Sequence, residues 1–457
     1  MSDSKYVVGV DVGTGSARAG IFSASDGQRV GAATQPIQMW KPKTDFVEQS
    51  SDDIWSAVGI CVRGSLAEAG IDPRNVVGIG FDATCSLVAL GDNDLPVTVS
   101  PTGNDAQNVI VWMDHRATAE TDTINKGGYD VLKYVGGAVS PEMEPPKLKW
   151  LKAHLPDTWR RTLKFFDLTD FLTYKSTGEN VRSLCTNVCK WLYVGQEGRW
   201  DKDFYAAEGL QDLFESGKVG ETIRPLGERI GPLTAEAAAH LGLTEACIVG
   251  VGAIDAHAGG IGLLGSVLDP SVGKAEAAEA LETVVALIGG TSNCHMAASR
   301  EAIFVPGVWG PYFGAMVPDM WLTEGGQSAA GSLIDWAIQT HPASADVKRE
   351  AEAAGVTVYE FLNRRIEAMA REQSLSNPAL LTRDLHVLDY HLGNRSPHAD
   401  PRAHGVVDGL TLDVSVDSAA VLYLATVQAV AYGTREIVEA MNAQGYRILT
   451  ALLRTHI

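Results

Sequence analysis

The sequence lacks the patterns that identify several common classes of protein. Its six cysteines include no Cys-x-x-Cys pair, so we predict neither a zinc site nor a disulfide framework, and we expect free thiols in a reducing compartment. Basic residues are scarce, because 37 Lys and Arg stand against 56 Asp and Glu and give a net charge of −19. Since nucleic acids and anionic membranes bind basic surfaces, we expect neither as a partner.

Signals for secretion or membrane insertion are also missing from the sequence. The first residues carry neither the basic segment nor the cleavage site of a signal peptide. No apolar run reaches the roughly 18 residues that a membrane span needs. These absences predict a cytoplasmic protein. At 457 residues the chain is longer than a single-domain protein with one hydrophobic core usually is. This length suggests about two or three domains.

The chain opens with a predicted β-meander around a glycine-rich turn. Residues 6–11 are apolar and β-branched, which predicts a buried strand, and residues 13–16 predict a turn. Two further strands are predicted between residues 17 and 35. Residues 284–298 repeat the pattern of strand, glycine turn and strand. The repeat predicts a duplicated domain, with a boundary near residues 260–280.

The first glycine turn is a candidate phosphate loop. Its glycines allow several backbone N–H groups to point in one direction, which creates a site for an anion. A dinucleotide-binding motif would need a glycine at the position of Arg18, and the Gly-Lys-Ser/Thr of a P-loop is absent from the sequence. Asp11 precedes the turn and is a candidate for holding a metal ion beside the phosphates. The predicted nucleotide contacts here are Gly13, Thr14, Gly15, Ser16 and Arg18.

The second glycine turn, residues 289–292, is the matching candidate in the second half of the chain. Gly290 and Thr291 are its predicted nucleotide contacts. Gly331 starts a predicted helix, whose N-terminal N–H groups are a third candidate contact for the phosphates. A glycine at this position is equally typical of close packing, so both interpretations remain open at this point.

Eight segments resemble, in order, the signatures of the FGGY family of carbohydrate kinases, and particularly its pentulose (ribulose-type) kinases. The similarity extends from residue 6 to about residue 447. The segments are DVGTGSARAG at 11–20, GIGFDATCSLVAL at 78–90, WMDHR at 112–116, PPKLKWL at 145–151, GVGAIDAHAGGIG at 250–262, GGTSN at 289–293, EGGQSAAGSLIDW at 324–336 and GNRSPHADPRAHGVVDGLTL at 393–412.

The resemblance implies an α/β fold of two ribonuclease-H-like domains of the actin/hexokinase type, with a cleft between them. We place the sugar-binding and catalytic domain at residues 1–265 and the nucleotide-binding domain at 266–457. It also implies ATP and Mg²⁺ as cofactors and a small sugar as the binding partner, and it leaves a homodimer open. Family members continue beyond the counterpart of residue 447 with a Gly-Gly turn that holds adenine. We therefore expect a truncated second domain and weakened ATP binding.

Asp255 is the residue that the resemblance implies as the catalytic base, and it is also a candidate metal ligand. Phosphoryl transfer needs an aligned hydroxyl, an acceptor for its proton and neutralisation of the phosphate charge. A carboxylate at the end of the predicted strand 248–251 suits that role. The alternative is a purely structural N-cap for the helix predicted at 256–263.

Several polar residues are candidates for binding the sugar. Three of them lie on or just after the strand predicted at residues 76–81, where polar side chains are unusual. The alternatives are an exposed acidic pair for Glu142 and Glu144, and a packed side chain for His257. The predicted sugar contacts are Asp82, Thr84, Cys85, Asp114, Glu142 and His257.

The sequence therefore predicts an ATP-dependent kinase that converts D-ribulose into D-ribulose 5-phosphate. An L-ribulose or ribitol kinase, and a truncated sugar-binding protein without activity, are the alternatives.

Overall fold

The computed structural model describes residues 4–269 and 271–455, and the chain divides into two compact units. The first unit comprises Met1–Gly262 together with Ser299–Phe304 and Gly310–Leu322. The second unit comprises Leu263–Ala298, Val305–Trp309 and Thr323–Ile457.

The elements up to residue 265 alternate strands and helices. The strands are β1 (Tyr6–Val12), β2 (Ser16–Ser23), β3 (Arg29–Pro36), β4 (Glu48–Gln49), β5 (Val76–Ala83), β6 (Leu87–Leu90), β7 (Val109–Ile110), β8 (Lys164–Asp167), β9 (Val181–Ser183), β10 (Tyr193–Val194), β11 (Arg199–Trp200), β12 (Thr222–Arg224), β13 (Arg229–Pro232), β14 (Ile248–Gly250) and β15 (Ala253–Ile254). The helices are α1 (Ser51–Ala69), α2 (Thr118–Asn125), α3 (Glu144–His154), α4 (Pro156–Arg161), α5 (Leu168–Thr177), α6 (Leu184–Lys190), α7 (Lys202–Ala207), α8 (Asp212–Glu215), α9 (Ala235–Leu241) and α10 (Asp255–Gly265).

After residue 265, one helix precedes four consecutive strands, and a mainly helical region follows. The strands are β16 (Val284–Gly289), β17 (Asn293–Ser299), β18 (Trp309–Phe313), β19 (Trp321–Gln327), β20 (His386–Leu388), β21 (Val406–Asp408) and β22 (Thr450–Thr455). The helices are α11 (Lys274–Leu281), α12 (Gly331–Thr340), α13 (Ser344–Ala353), α14 (Val358–Glu372) and α15 (Val416–Ala443). Short 3₁₀ helices occupy Pro73–Asn75, Asp92–Asp94, Asp130–Val135 and Pro378–Thr382.

The main sheet of the first unit has the strand order β13-β14-β5-β1-β2-β3, and β15 pairs with β5. Strand β1 is antiparallel to β2 and parallel to β5. Val8, Val10 and Val12 alternate along β1 and are buried with Ile54 and Val58 of α1. Because strand residues alternate between faces, Asp11 is left on the opposite face from these valines.

The second unit repeats this strand pattern, as the sequence predicted. Strand β16 lies between β17 and β22 in its sheet. Strand β16 is antiparallel to β17 and parallel to β22, just as β1 is antiparallel to β2 and parallel to β5. Residues 448–453 are a candidate strand in the sequence, and the last strand lies at Thr450–Thr455.

Apolar residues at helical spacing predict one long helix over residues 416–443, and α15 spans Val416–Ala443. It contributes Ala420 and Tyr423 to a core that also contains Val347 of α13 and Leu362 of α14. By length and composition alone this helix also qualifies as a membrane span, contrary to the expectation from the sequence. Core helices of soluble proteins pass the same test, and the packing of α15 against α13 and α14 is of that kind.

Candidate active site

Three carboxylates lie at the ends of neighbouring parallel strands in the first unit. Asp11 of β1 pairs in register with Asp82 of β5, and Asp82 pairs with Ala253 of β15. Asp255 begins α10 directly after β15. Since the carboxyl ends of parallel strands meet at one edge of a sheet, these side chains form one cluster. We call Asp11, Asp82 and Asp255 the carboxylate edge.

The electrostatics of the carboxylate edge favour a bound cation. Burial raises the pKa of Asp82 well above its usual value, and the neighbouring charges of Asp11 and Asp255 raise it further. Arg18 offsets part of this charge, because its Nη1 lies 2.8 Å from Oδ2 of Asp11. Carboxylate oxygens are the ligands that Mg²⁺ and similar hard cations prefer, so these residues fit a divalent metal.

The first glycine loop is held in place by its surroundings. The N–H of Gly13 donates to the carbonyl of Ser16 at 3.1 Å. The side chain of Gln49 donates to the carbonyl of Thr14 at 2.7 Å, and the indole N–H of Trp112 donates to the Thr14 hydroxyl at 3.0 Å. A Cβ added at Gly15 would meet no atom within 4 Å. One side of this anchored loop is therefore open.

The second glycine loop is supported by the start of α12, which corrects one prediction. The N–H of Gly331 donates to the carbonyl of Gly290 at 3.0 Å, and the N–H of Ala330 donates to that of Thr291 at 2.9 Å. The N–H of Gly331 is therefore not directed at a phosphate. A Cβ on Gly331 would lie 2.5 Å from the Gly290 oxygen. Close packing, the alternative interpretation, explains this glycine.

Cys85 lies among buried charged groups that the sequence analysis missed. Burial raises the pKa of its thiol to about 12, and the charges of Lys190, Asp167, Lys147 and Asp255 act on it as well. Lys190 ends α6 and Asp167 ends β8, and both are buried. No local motif marks either residue. Only the tertiary structure, which buries their charged side chains near Cys85, singles them out.

Glu144 and Glu142 are not an exposed acidic pair. Glu144 is fully buried and lies 3.7 Å from the Nζ of Lys147, whereas Glu142 retains 13% side-chain exposure beside His115. Burial raises the pKa of Glu144 to about 7, and the positive charges of Lys147 and Lys190 oppose this shift. Within the described residues, neither carboxylate oxygen of Glu144 has a hydrogen-bond partner.

Asp114 has a structural role, which contradicts its predicted contact with the sugar. One of its oxygens accepts the backbone and Nε hydrogen bonds of Arg116, and the other accepts from Val47 N at 2.6 Å and from Arg116 Nη2 at 2.7 Å. The Arg116 guanidinium also donates to the buried Glu48 at 2.8 Å. All three charged side chains are fully buried. The aspartate therefore positions a loop and has no oxygen left for a substrate.

Asp255 and His257 share the first turn of α10. The Oδ1 of Asp255 accepts the N–H of Ala256 at 2.7 Å, so the side chain contacts the start of the helix as well as lying on the carboxylate edge. His257 is 1% exposed, and its Nε2 lies 3.5 Å from the Sγ of Cys189. The contact with Cys189 favours the alternative of a packed side chain for His257.

Solved structures with the same fold include sugar kinases. The chain superimposes on a xylulose kinase from Rhodospirillum rubrum with a TM-score of 0.73 at 22% identity, covering 98% of this chain and 81% of that one. The protein thus has the two-domain, actin/hexokinase-like fold of the sugar kinases, as expected from the sequence.

The sequence comparisons identify the family within this class. The N-terminal domain of the FGGY family of carbohydrate kinases matches residues 6–262, and its C-terminal domain matches residues 285–453. The chain belongs to the FGGY family of carbohydrate kinases. It is therefore an ATP-dependent sugar kinase, and the family uses a divalent metal with ATP.

Two curated relatives illustrate the similarity. A human FGGY carbohydrate kinase domain-containing protein is 46% identical over 98% of this chain and 81% of its own length. A D-ribulokinase from Saccharomyces cerevisiae is 43% identical over 98% of this chain and 65% of its own length.

Proposed function

We propose that this kinase transfers the γ-phosphoryl group of ATP to the C5 hydroxyl of D-ribulose, with Mg²⁺ as the metal. The products are D-ribulose 5-phosphate and ADP. The observation that carries the proposal is the carboxylate edge, where Asp255 lies beside Asp11 and Asp82 at the ends of parallel strands. The choice of D-ribulose rests on the similarity to the yeast D-ribulokinase.

Asp255 is the proposed general base. Its carboxylate accepts the proton of the C5 hydroxyl as the oxygen forms a bond to the γ-phosphorus and the bond from phosphorus to ADP breaks. The bond between Asp255 and the N–H of Ala256 holds the carboxylate at the start of α10. Bound Mg²⁺ would neutralise the phosphate charge. Asp11 is the residue proposed to hold the ion, through a water molecule.

Each unit offers a glycine loop as a proposed contact for the phosphate groups of ATP. In the first unit, Thr14, Gly15 and Ser16 offer N–H groups or hydroxyls, since the N–H of Gly13 already donates to Ser16. In the second unit, Thr291 does the same, since the N–H of Gly290 already donates to the carbonyl of Ser292. The carbonyls of Gly290 and Thr291 are held by the start of α12. Both loops are fixed before ATP binds, so little conformational entropy is lost on binding.

The buried polar groups around Cys85 are proposed to distinguish the sugar hydroxyls. Thr84 and Cys85 follow β5, and Lys190 and Asp167 lie close enough to affect the thiol electrostatically. A site that hydrogen-bonds a particular hydroxyl rejects sugars that lack it, since its buried polar groups are then left without partners. These residues are therefore the proposed determinants of stereochemistry.

A coupled assay of ADP release tests the substrate. D-ribulose, L-ribulose, D-xylulose, ribitol and glycerol are compared at several concentrations, and we expect the largest kcat/KM for D-ribulose. The Asp255→Asn variant, purified in the same way, controls for contaminating kinases. A higher kcat/KM for L-ribulose or ribitol would mean that this compound, and not D-ribulose, is the substrate. Inactivity on all five compounds would contradict the proposed function.

A further inference from the structure

Two cysteines and a histidine meet in the interior of the first unit. Cys185 and Cys189 lie four residues apart on α6, so they share one face of the helix. His257 approaches them from α10. The candidate ligand atoms of all three residues lie within 4.8 Å of one another, and all three residues are buried. No sequence pattern indicated this cluster, because a helical pair of cysteines with a distant histidine matches no common zinc-binding spacing.

The spacing of these atoms suits a tetrahedral metal. With Zn–S near 2.3 Å and Zn–N near 2.0–2.1 Å, tetrahedral angles place sulfur and nitrogen about 3.6 Å apart. The Sγ of Cys189 lies 3.5 Å from Nε2 of His257. A cation would therefore replace a contact between two ligands that already have the required separation, and the Sγ of Cys185 lies within 4.8 Å of both atoms.

A buried carboxyl group lies within electrostatic range of Cys185. Asp167 is fully buried, and within the described residues neither of its oxygens has a hydrogen-bond partner. Burial raises the pKa of Asp167 well above its usual value, and the charges of Asp170, Glu144 and Cys185 raise it further, whereas Lys190 lowers it. A carboxyl group buried without hydrogen bonds is stabilised by a nearby positive charge. A divalent cation held by Cys185 would add to the positive charge of Lys190.

We propose that Cys185, Cys189 and His257 form a binding site for a thiophilic divalent cation of the Zn²⁺ type. Two thiolates neutralise the charge of the cation, and the neutral imidazole completes a Cys₂His set. This site is distinct from the Mg²⁺ proposed at the carboxylate edge, because thiolates select soft cations whereas carboxylates select hard ones. Water would complete the fourth position of a tetrahedral ion.

The test measures metal binding directly, so its result does not depend on the sugar that the enzyme uses. The full chain is first freed of metal with a chelator. One equivalent of Co²⁺ or Cd²⁺ is then added, both to the native protein and during refolding from denaturant, because the site is buried. We expect the ultraviolet charge-transfer band of a metal–thiolate bond and, with Co²⁺, the visible absorption typical of tetrahedral coordination.

Variants locate the site within the chain. Cys189→Ser and Cys185→Ser are each expected to weaken Cd²⁺ binding by more than about tenfold, since even outer contacts of metal ligands contribute 10–100-fold in affinity. The matched control is Cys247→Ser, another buried cysteine of the first unit outside the cluster. Circular dichroism shows whether each variant folds.

Two results would overturn the proposal. One is the absence of a metal–thiolate band from the parent protein under both loading conditions, which requires no variant. The other is a folded Cys189→Ser variant that binds Cd²⁺ as tightly as the parent and the Cys247→Ser control do. Loss of the band in Cys189→Ser with its retention in Cys247→Ser supports the site.

Discussion

Single carboxylates carry the proposed chemistry, and replacing one oxygen by an amide nitrogen tests this most directly. Asp255→Asn preserves the size of the side chain and the oxygen that accepts the N–H of Ala256, but it removes the base. We expect kcat to fall by about 10²–10⁴-fold, with little change in the KM for sugar. The control is Asp52→Asn, an exposed carboxylate in the first turn of α1. A rate close to that of the parent would remove Asp255 from the reaction.

Glu144 tests how burial affects stability as the pH changes. Burial raises its pKa from 4.5 to about 7, so between these values the folded state binds more protons than the unfolded state. The free energy of unfolding should therefore decrease as the pH rises through this range, by about 3 kcal/mol in all. Glu144→Gln should remove this part of the pH dependence, whatever its effect on the stability at a single pH.

Urea unfolding of the parent and of Glu144→Gln at several pH values between 4.5 and 8 measures this difference. Glu179→Gln, at an exposed position of the same unit, is the control and should keep the parental slope. If Glu144→Gln also keeps that slope, Glu144 is charged in the folded protein throughout the range.

The start of α12 tests whether the second glycine loop depends on the helix beneath it. Gly331→Ala places a Cβ 2.5 Å from the Gly290 oxygen, so the loop has to move. We expect the KM for ATP to rise about tenfold, equivalent to about 1.4 kcal/mol, while the KM for sugar changes little. Steady-state kinetics with each substrate varied in turn measure the two effects.

The matched control for that change is Gly273→Ala, at the N-cap of α11, where an added Cβ meets no atom within 4 Å. Both substitutions put alanine at the start of a helix in the second unit, so they differ mainly in the contact with the loop. Equal KM values for ATP in the two variants would mean that the Gly290–Gly331 contact has no part in nucleotide binding.

The molecule contains separate hydrophobic cores. We therefore expect a mutation in one core to destabilise its own unit and to leave the other unit unchanged. Leu362 is fully buried among residues of α13, α14 and α15, so Leu362→Ala should destabilise the second unit by about 2–5 kcal/mol. Hydrogen exchange followed by mass spectrometry should show faster exchange in α12–α15, with β1 and β5 unchanged. Leu380→Ala, at a leucine that is 46% exposed, is the control, and equal acceleration in both units would contradict the prediction.

Local patterns were sufficient to predict most of the elements near the site. The β-branched run at the start of the chain predicted β1, and the apolar spacing after residue 415 predicted the bounds of α15. The two glycine turns also appear where expected, each between antiparallel strands. Such features depend on neighbours only a few residues away, so the sequence contains the information that specifies them.

The family, the duplicated strand pattern and the chemical types of the candidate residues follow from local order and motif, so they can be predicted without a structure. Which side chains are already occupied by other residues depends on how the chain folds. Asp114 is held by Arg116, which also pairs with Glu48, a residue 68 positions away. His257 meets Cys189 across a similar distance along the chain. Burial and pairing depend on contacts between residues that are distant in the sequence. The roles of these residues are therefore established only in the folded chain.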